Sequence, residues 1–379
     1  MKLSKNFKID YFRDQLLAWR IGGVIKLSEG NYWSWAMALN IFAFLQTPLY
    51  MKAMFTFENP IDNNYNLFLT ITWLSTLSMF MMYVSKVNKM VDIHWLISKL
   101  DARVSGDDQI LQRRKMTKHL QIMSKVFLVS YGIVFINASM AFFLRSERSL
   151  PLPMWIPFDW KNSMVAYIGA LVYQITGLFV NILHNYSGDS FAPMALLLIS
   201  EQCQILALRI SSLGYRTKNW KKNERDLVDC IKDQNTLYRL LDVVHSMISY
   251  PILIQFVVIG ISIAVTLFGL IFYIQTLLER IFYGSILVGL TLQIFPICYY
   301  GTKVEESFAN LHYAVFCSNW VGQSPKYRGY MLILQERTKR QQILLAGDVV
   351  PIHLSTFVAC WNGAYSFFTL MTHRSGLGS

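Results

Sequence analysis

The chain contains 379 residues and has a formal net charge of +12. Hydrophobic residues make up 54% of it and charged residues only 15%, whereas about 25% of the residues in a soluble domain are charged. So few charges cannot coat this much apolar surface in water, and the composition therefore predicts an integral membrane protein. The same values exclude the disordered, collagen-like and disulfide-scaffold classes.

Seven runs without Asp, Glu, Lys or Arg are long enough to cross a bilayer, which takes about 20 residues of helix. In chain order they are Gly30–Met51, Asn63–Ser85, Val126–Leu144, Asn162–Gly188, Val243–Leu278, Ile281–Thr302 and Val349–His373. None alternates as barrel strands do, so we predict an all-α membrane protein with seven transmembrane helices. The fifth run exceeds one straight crossing, so part of it is expected to continue as helix outside the lipid.

The basic residues are distributed unequally between the two sides of these spans. The N-terminal segment and the second, fourth and sixth loops hold 29 of the 35 Lys and Arg residues. This asymmetry predicts a cytoplasmic N-terminus and an extracellular C-terminus. Loops that face anionic lipid also account for the net charge without nucleic acid. The five cysteines form no extracellular pair in this topology and are interpreted as reduced.

The predicted organisation alternates spans with long inner segments. It comprises a cytoplasmic N-terminal segment (1–29), spans one to four with a ligand pocket in their outer halves (30–188), a cytoplasmic helical extension (189–242), spans five and six (243–302), cytoplasmic anchor helices (303–348), the seventh span (349–374) and a flexible tail or tag remnant (375–379). Apolar stripes on the inner extensions predict that they form a helical anchor bundle. Gly347 is expected to end the last anchor helix, within Tyr327–Leu345.

No residue pattern indicates an enzyme. The seven histidines show no metal-ligand spacing, and HExxH, CxxC, GxSxG and phosphate-loop motifs are missing. We therefore predict no catalytic residue, no metal and no cofactor. The spans also hold few ionisable residues, which argues against a coupled transporter with a charged site at the bilayer midplane.

The outer halves of several spans carry large apolar and aromatic side chains with a few hydroxyls and amides. Such a lining suits a dry pocket for a small neutral ligand. The candidates are Phe68, Thr72, Trp73, Asn137, Met140, Tyr167, Leu171, Tyr173, Tyr273 and Tyr283. Each of them is also compatible with ordinary lipid contact or with an interfacial aromatic belt.

The last span carries a stripe formed by Ser366, Thr369, Leu370 and His373, which recur at the spacing of one helix face. Small hydroxyls around one leucine could line a narrow aqueous path, with Leu370 as a hydrophobic constriction that gates by dewetting. The alternative is a helix-packing face, because Ser and Thr also hold transmembrane helices together. The spacing alone does not separate these two interpretations.

The closing stretch contains the runs Ala346-Gly-Asp-Val-Val-Pro-Ile-His-Leu-Ser-Thr-Phe and Ala364-Tyr-Ser-Phe-Phe-Thr-Leu. Together with seven spans, a cytoplasmic N-terminus and long inner loops, these runs resemble the insect odorant receptors. The architectural resemblance covers the whole chain, whereas the detailed motif similarity covers roughly its last thirty residues.

The resemblance implies an odorant-gated, non-selective cation channel subunit in the plasma membrane of sensory neurons. It implies assembly with the family's co-receptor into a tetramer held together by the anchor helices, with the seventh spans around a central pore. Ser366, Thr369 and His373 then match pore-lining positions, and Leu370 matches the gate, where the co-receptor has a residue similar to valine. A volatile ligand would bind in the outer halves of spans two, three, four and six.

Other classes fit the residues less well. A G-protein-coupled receptor has an extracellular N-terminus, opposite to the charge distribution, and its Asp-Arg-Tyr and Asn-Pro-x-x-Tyr motifs are missing. A gustatory receptor shares the topology but ends in a Thr-Tyr-x-x-x-x-x-Gln pattern, which Ser366–His373 does not match. A membrane enzyme or transporter lacks both a catalytic constellation and a midplane charge.

Overall fold

The computed structural model describes residues 9–26, 32–56, 60–140, 149–215, 219–272, 277–339 and 342–374, without the side chains of 60–62, 140, 278–279, 282 and 371–374. After a short 3-10 turn the described elements are α1 (Arg13–Ile21), α2 (Tyr32–Phe44), α3 (Gln46–Thr56), α4 (Pro60–Lys86), α5 (Lys89–Asp101), α6 (Asp107–Met140), α7 (Met164–Ser211), α8 (Trp220–Phe272), α9 (Leu277–Phe316), α10 (Pro325–Thr338), β1 (Leu345–Ala346), β2 (Val350–Pro351) and α11 (Leu354–Arg374).

Five described helices are long and apolar enough to cross a membrane. They are Asn63–Lys86 within α4, Asp107–Ser139 within α6, α7, α8, and Tyr283–Phe316 within α9. These helices cover most of the second to sixth predicted spans, within the residues that the structure describes. α7, α8 and α9 continue well beyond one crossing, so the inner extensions belong to the same helices as the spans. The uncharged run Ser307–Pro325, which is too polar to be a further span, is helical at its start, because α9 runs to Phe316.

The first and seventh predicted spans differ from these five. The first is divided into α2 and α3, because the helix is interrupted at Leu45. The seventh corresponds to α11, a single helix of 21 residues. Asn362, Ser366 and Thr369 place polar groups on the exposed side of α11.

The helix α7 forms the centre of the bundle. Every residue from His184 to Cys203 is buried, and α7 packs against α1, α2, α4, α6, α8 and α9. A helix that is buried all round needs neighbours on every side, and α7 has them. The N-terminal helix α1 is one of these neighbours: the Gln15 amide donates to the Ser190 hydroxyl at 3.0 Å, and the Trp19 ring lies 4.9 Å from that of Phe191.

A tight hairpin joins the anchor to the last helix. β1 and β2 pair antiparallel, with Ala346 opposite Val350. In the three-residue loop between them Gly347 and Asp348 both have positive φ, 58° and 60°, as the central residues of a type I′ turn do. The prediction that Gly347 ends a helix is therefore wrong, because α10 has already ended at Thr338. The Gly347 amide donates to the Ser249 hydroxyl on α8 at 2.9 Å, which fixes the hairpin to α8.

Replacing Gly301 with alanine is expected to destabilise the junction between α9 and this hairpin. A Cβ at Gly301 would lie 2.0 Å from the carbonyl oxygen of Ile352, so the backbone must move, at a cost of about 1–3 kcal/mol. Thermal denaturation of the purified protein measures the loss. Gly329→Ala on α10 is the control, because a Cβ there meets nothing within 4 Å, and its stability should be unchanged or slightly raised. Equal melting temperatures for both variants would contradict the expected clash.

Candidate ligand-binding site

A cavity of about 170 Å³ lies between four helices of the bundle. Its described lining comes from α4 (Tyr65, Phe68, Leu69, Thr72, Trp73), α6 (Tyr131, Val134, Asn137, Ala138), α7 (Leu178, Asn181, Ile182, Asn185) and α9 (Ser285, Ile286, Gly289, Leu290, Gln293), with Leu152 from the turn before α7. None of these nineteen residues carries a charge. The cavity therefore suits a small neutral molecule held mainly by apolar contact.

Aromatic rings give the α4 side of the cavity its shape. Trp73 is 1% exposed, and its ring lies 5.9 Å from that of Tyr50 on α3 and 6.3 Å from that of Phe44 on α2. Tyr65 and Phe68 stack with their ring centroids 6.2 Å apart. Rings packed from behind in this way hold their positions, so this wall is preformed before a ligand arrives.

The turn before α7 contributes one residue, Leu152, to the cavity wall. Leu152 is 2% exposed and is held by Gln174, whose amide nitrogen donates to the Leu152 carbonyl at 2.9 Å and whose amide oxygen accepts from the Leu152 N–H at 3.2 Å. Two hydrogen bonds from one buried side chain fix the backbone of this residue. Leu152 therefore acts as a fixed lid over the cavity where the turn meets it.

Buried amides on α7 provide polar groups in the wall. Asn185 donates to the Asn181 carbonyl oxygen at 2.8 Å, and Asn181 donates to the Thr76 hydroxyl at 3.2 Å. Each amide group carries two donor hydrogens, and each of these bonds uses one of them. A second donor on Asn181 thus remains for a ligand oxygen, which gives the neutral cavity a directional contact.

A hydrogen-bonded chain leads from the cavity into the helical core. Gln293 on α9 donates to the Tyr131 hydroxyl on α6 at 2.7 Å, and Tyr131 in turn donates to the Asp189 carboxylate on α7. Gln255 on α8 donates to the same carboxylate at 3.2 Å. Asp189 is 2% exposed, so these hydrogen bonds satisfy a buried carboxyl group while they join the cavity wall to α8.

Four of the predicted pocket residues line this cavity: Phe68, Thr72, Trp73 and Asn137. Tyr167, Leu171 and Tyr173 lie on α7 outside the lining, and the Tyr167 hydroxyl donates to the Ser149 carbonyl in the outer turn. Tyr283 is buried near Gly269 of α8 and is also outside the lining. Tyr273 and the side chain of Met140 lie outside the described residues.

Sequence reasoning missed several of the polar lining residues. Asn181 and Asn185, one helical turn apart within a predicted span, offered a signal, since paired amides in lipid need each other or a ligand. Tyr131 and Gln293 offered no such signal, because their hydrogen bond joins residues that are 162 positions apart. Leu152 likewise cannot be recognised as a lid from a loop sequence.

The helix α11 packs on α8 and α9 along one face only. Phe357 meets Phe295 of α9 with ring centroids 5.5 Å apart, while Leu370 on the same helix is 65% exposed. Ser366 and Thr369 are also exposed, and their hydroxyls donate to the carbonyls of Asn362 and Ser366. The side chain of His373 lies outside the described residues. The Ser366, Thr369 and Leu370 side chains thus form an uncovered stripe on the single chain.

Comparison with known proteins gives a consistent result. A family model described as 7tm Odorant receptor matches residues 59–365. The chain is 61% identical to Odorant receptor 23a of Drosophila melanogaster over 100% of both chains, and 28% identical to Odorant receptor 59a of the same species over 96% of this chain and 97% of that one.

Solved structures share the fold. The insect olfactory receptor OR5 from Machilis hrabei in complex with eugenol matches with a TM-score of 0.78 at 13% identity, over 97% of this chain and 100% of that chain. A second structure of the same receptor matches with a TM-score of 0.74, over 96% of this chain and 99% of that chain.

Proposed function

We propose that this chain, which belongs to the odorant receptor family, is an odorant-gated, non-selective cation channel subunit that opens a central pore in a heteromer with the odorant co-receptor. The family membership makes the chain a multi-pass membrane receptor of olfaction and not an enzyme. The observation that carries the channel proposal is the combination of an uncharged cavity with an uncovered polar stripe on α11, joined by helix α9.

The cavity is the proposed odorant site. Its uncharged, mainly apolar lining favours volatile neutral molecules, and the second donor hydrogen of the Asn181 amide supports those that carry a hydroxyl, ether or carbonyl oxygen. Eugenol, which is bound to OR5 from Machilis hrabei, belongs to this chemical class. We also keep Met140 and Tyr273 in the proposed ligand-binding set, together with Tyr167, Leu171 and Tyr283, which lie outside the described lining.

The helix α9 is the proposed link between the cavity and the pore. It supplies five lining residues of the cavity, and further along the same helix Phe295 packs on Phe357 of α11. The Thr302 hydroxyl of α9 accepts the Leu354 N–H at the start of α11 at 3.1 Å. An odorant that binds better when α9 has moved would therefore shift the position of α11 by its differential affinity.

The helix α11 is the proposed pore wall, with the Leu370 side chain as the hydrophobic gate and Ser366, Thr369 and His373 along the path. In a single chain Leu370 has no cover, whereas four such helices around an axis would bring their leucines together. The distribution of Lys and Arg supports the orientation with a cytoplasmic N-terminus, which places the anchor helices inside and the odorant cavity in the outer half of the membrane.

The anchor segment 303–348 is the proposed contact with partner subunits. Several large apolar side chains there are exposed on the single chain, where they would otherwise face water. They are Tyr313, Val321, Leu332, Ile333 and Ile343. Exposed apolar groups of this kind mark protein interfaces, which supports assembly with a co-receptor in the plasma membrane of sensory neurons.

Whole-cell current during a screen of volatile odorants tests the proposed function. The chain is expressed alone and with the co-receptor, and a guanine-nucleotide block is present in the pipette. We expect a fast cation current that needs the co-receptor and ignores the block. A response that the block abolishes, or no current from a broad panel despite confirmed surface expression, contradicts the proposal.

Filling the cavity should reduce odorant sensitivity. The variant Ala138→Phe adds a ring to a cavity of about 170 Å³, so we expect the odorant concentration for half-maximal current to rise about tenfold or more, since about 1.4 kcal/mol of lost binding is sufficient for tenfold. Val165→Phe is the matched control, because Val165 on α7 is 82% exposed and lies outside the lining. Equal sensitivity of both variants would exclude this cavity as the odorant site.

A further inference from the structure

A second, smaller space lies beside the ligand cavity, between α6 and α9. This gap has a volume of about 70 Å³, and four of its lining residues, Tyr131, Val134, Gly289 and Gln293, also line the ligand cavity. The two spaces therefore share a wall. On its other side the gap reaches exposed apolar side chains, since Leu292 is 41% and Val126 49% exposed. In a transmembrane bundle such side chains face lipid.

Two stripes with the same spacing run along α6 and α9, past both the gap and the ligand cavity. They consist of Ser130, Val134 and Asn137 on α6 and of Ser285, Gly289 and Leu292 on α9. In both stripes the residues recur at i, i+4 and i+7, which is one helix face. Along α6 the stripe runs from the gap at Ser130 to the cavity at Asn137, and along α9 it runs from the gap at Leu292 to the cavity at Ser285. The two spaces therefore adjoin along both helices.

Few direct contacts join α6 to α9. Both helices pack extensively on α7 but hardly on each other. A Cβ on Gly289 would meet nothing within 4 Å, so no side chain fills the space beside it. The hydrogen bond from Gln293 to Tyr131, 2.7 Å long, spans the two helices at the shared wall. The outer end of the cavity is closed more firmly, by the buried Leu152 and the two hydrogen bonds from Gln174.

We infer that the gap between α6 and α9 is a lateral portal through which neutral apolar ligands pass from the bilayer into the ligand cavity, with the Tyr131–Gln293 pair as its door. This inference rests on the proposed odorant site. An apolar volatile molecule concentrates in lipid for the same reason that apolar side chains are buried. The portal makes that dissolved pool the immediate source of ligand, and the Leu152 lid then has no need to open.

Thiol modification measures passage through the portal without any channel current. The variant Thr72→Cys places a thiol in the cavity but outside the gap. Membranes of cells that express the full-length variant are treated with hexyl methanethiosulfonate, an apolar reagent that dissolves in lipid. Mass spectrometry of the resulting peptides gives the rate at this thiol, with the exposed Cys317 as internal reference for reagent reactivity.

Three changes in the Thr72→Cys background decide the outcome. Ser130→Phe fills the mouth of the gap and should slow the modification several-fold. Leu292→Ala widens the mouth and should accelerate it. Val129→Phe is the matched control, because Val129 is 60% exposed and lines neither space, so its rate should be unchanged.

Equal rates in all backgrounds, or no modification of the Thr72→Cys thiol in any of them, would overturn the portal. If Ser130→Phe does not reach the membrane, the Leu292→Ala comparison decides alone. The result is also separable from the odorant-channel proposal. A chain without odorant current can still show the rate differences, and a chain with odorant current can still lack them.

Discussion

Replacing Asp233 with alanine is expected to cost the protein about 3 kcal/mol of stability and most of its surface expression, as the loss of one partner from a buried ion pair does. Asp233 on α8 is 1% exposed. Its carboxylate pairs with Arg103, which follows α5, at 3.1 Å and with Arg209 on α7. The substitution leaves two guanidinium groups without their shared anion in the interior of the anchor. Thermal denaturation and surface labelling measure the two effects.

Two further variants show whether the uncompensated charge is the cause. Asp229→Ala is the surface control: its carboxylate contacts the same Arg103 at 3.3 Å but is 49% exposed, so the expected loss is at most about 1 kcal/mol. In the double variant Asp233→Leu with Arg209→Met, apolar groups replace the buried pair, and much of the stability should return. An Asp233→Ala variant that melts like the Asp229→Ala variant would show that the pair contributes nothing.

Replacing Leu370 with alanine is expected to open the channel without odorant. If Leu370 forms the narrowest apolar ring of the pore, a smaller side chain both widens the ring and lets water enter it. The ligand-independent cation current of cells that express the variant with the co-receptor should rise several-fold, and Leu370→Asn, which is polar as well, should raise it further. Whole-cell recording in the absence of odorant measures both.

The conservative variant Leu370→Val keeps an apolar, branched side chain and should keep the resting current low. Val358→Ala is the second control, because Val358 lies on the same helix and is 53% exposed but is about three turns before Leu370, outside the segment Ser366–His373. An unchanged resting current in Leu370→Ala and Leu370→Asn, with normal surface expression and normal odorant responses, would remove Leu370 from the gate.

The sequence was sufficient to predict the membrane fold and the family. Charged residues are costly inside lipid, so their absence marks spans directly, and the likeness of the fold to OR5 confirms the prediction of an all-helical membrane protein. The resemblance drawn from the runs at Ala346 and Ala364 is confirmed by the odorant receptor model and by the 61% identical relative.

The cavity could be predicted only by region. Helical periodicity gives the residues on one face of a span but not the face that meets a given neighbour. Phe68, Thr72 and Trp73 lie together on α4 and enter the cavity together. Tyr167 belongs to a predicted span as well, yet its hydroxyl bonds to the outer turn. The rotation of α7 about its axis, which packing sets, decides such cases.

The hairpin after α10 shows a different limit. Glycine with positive φ ends many helices and also forms the turn of many hairpins. At Gly347 the second alternative is adopted, because Gly347 and Ser249 of α8 make a hydrogen bond across 98 positions of sequence. The pair Gly-Asp between apolar residues was the local signal for a hairpin, and the helical pattern before it concealed that signal.

The central position of α7 has a consequence for how such receptors diverge. A substitution between His184 and Cys203 must fit against neighbours on every side. A change there that alters ligand preference therefore also lowers the stability of the fold. Val134 of α6 and Ser285 of α9 also line the cavity but are exposed on one side, and they can vary at little cost. Receptors of this family that bind different odorants should therefore differ first at the α6 and α9 residues of the cavity wall, while the sequence of α7 changes slowly.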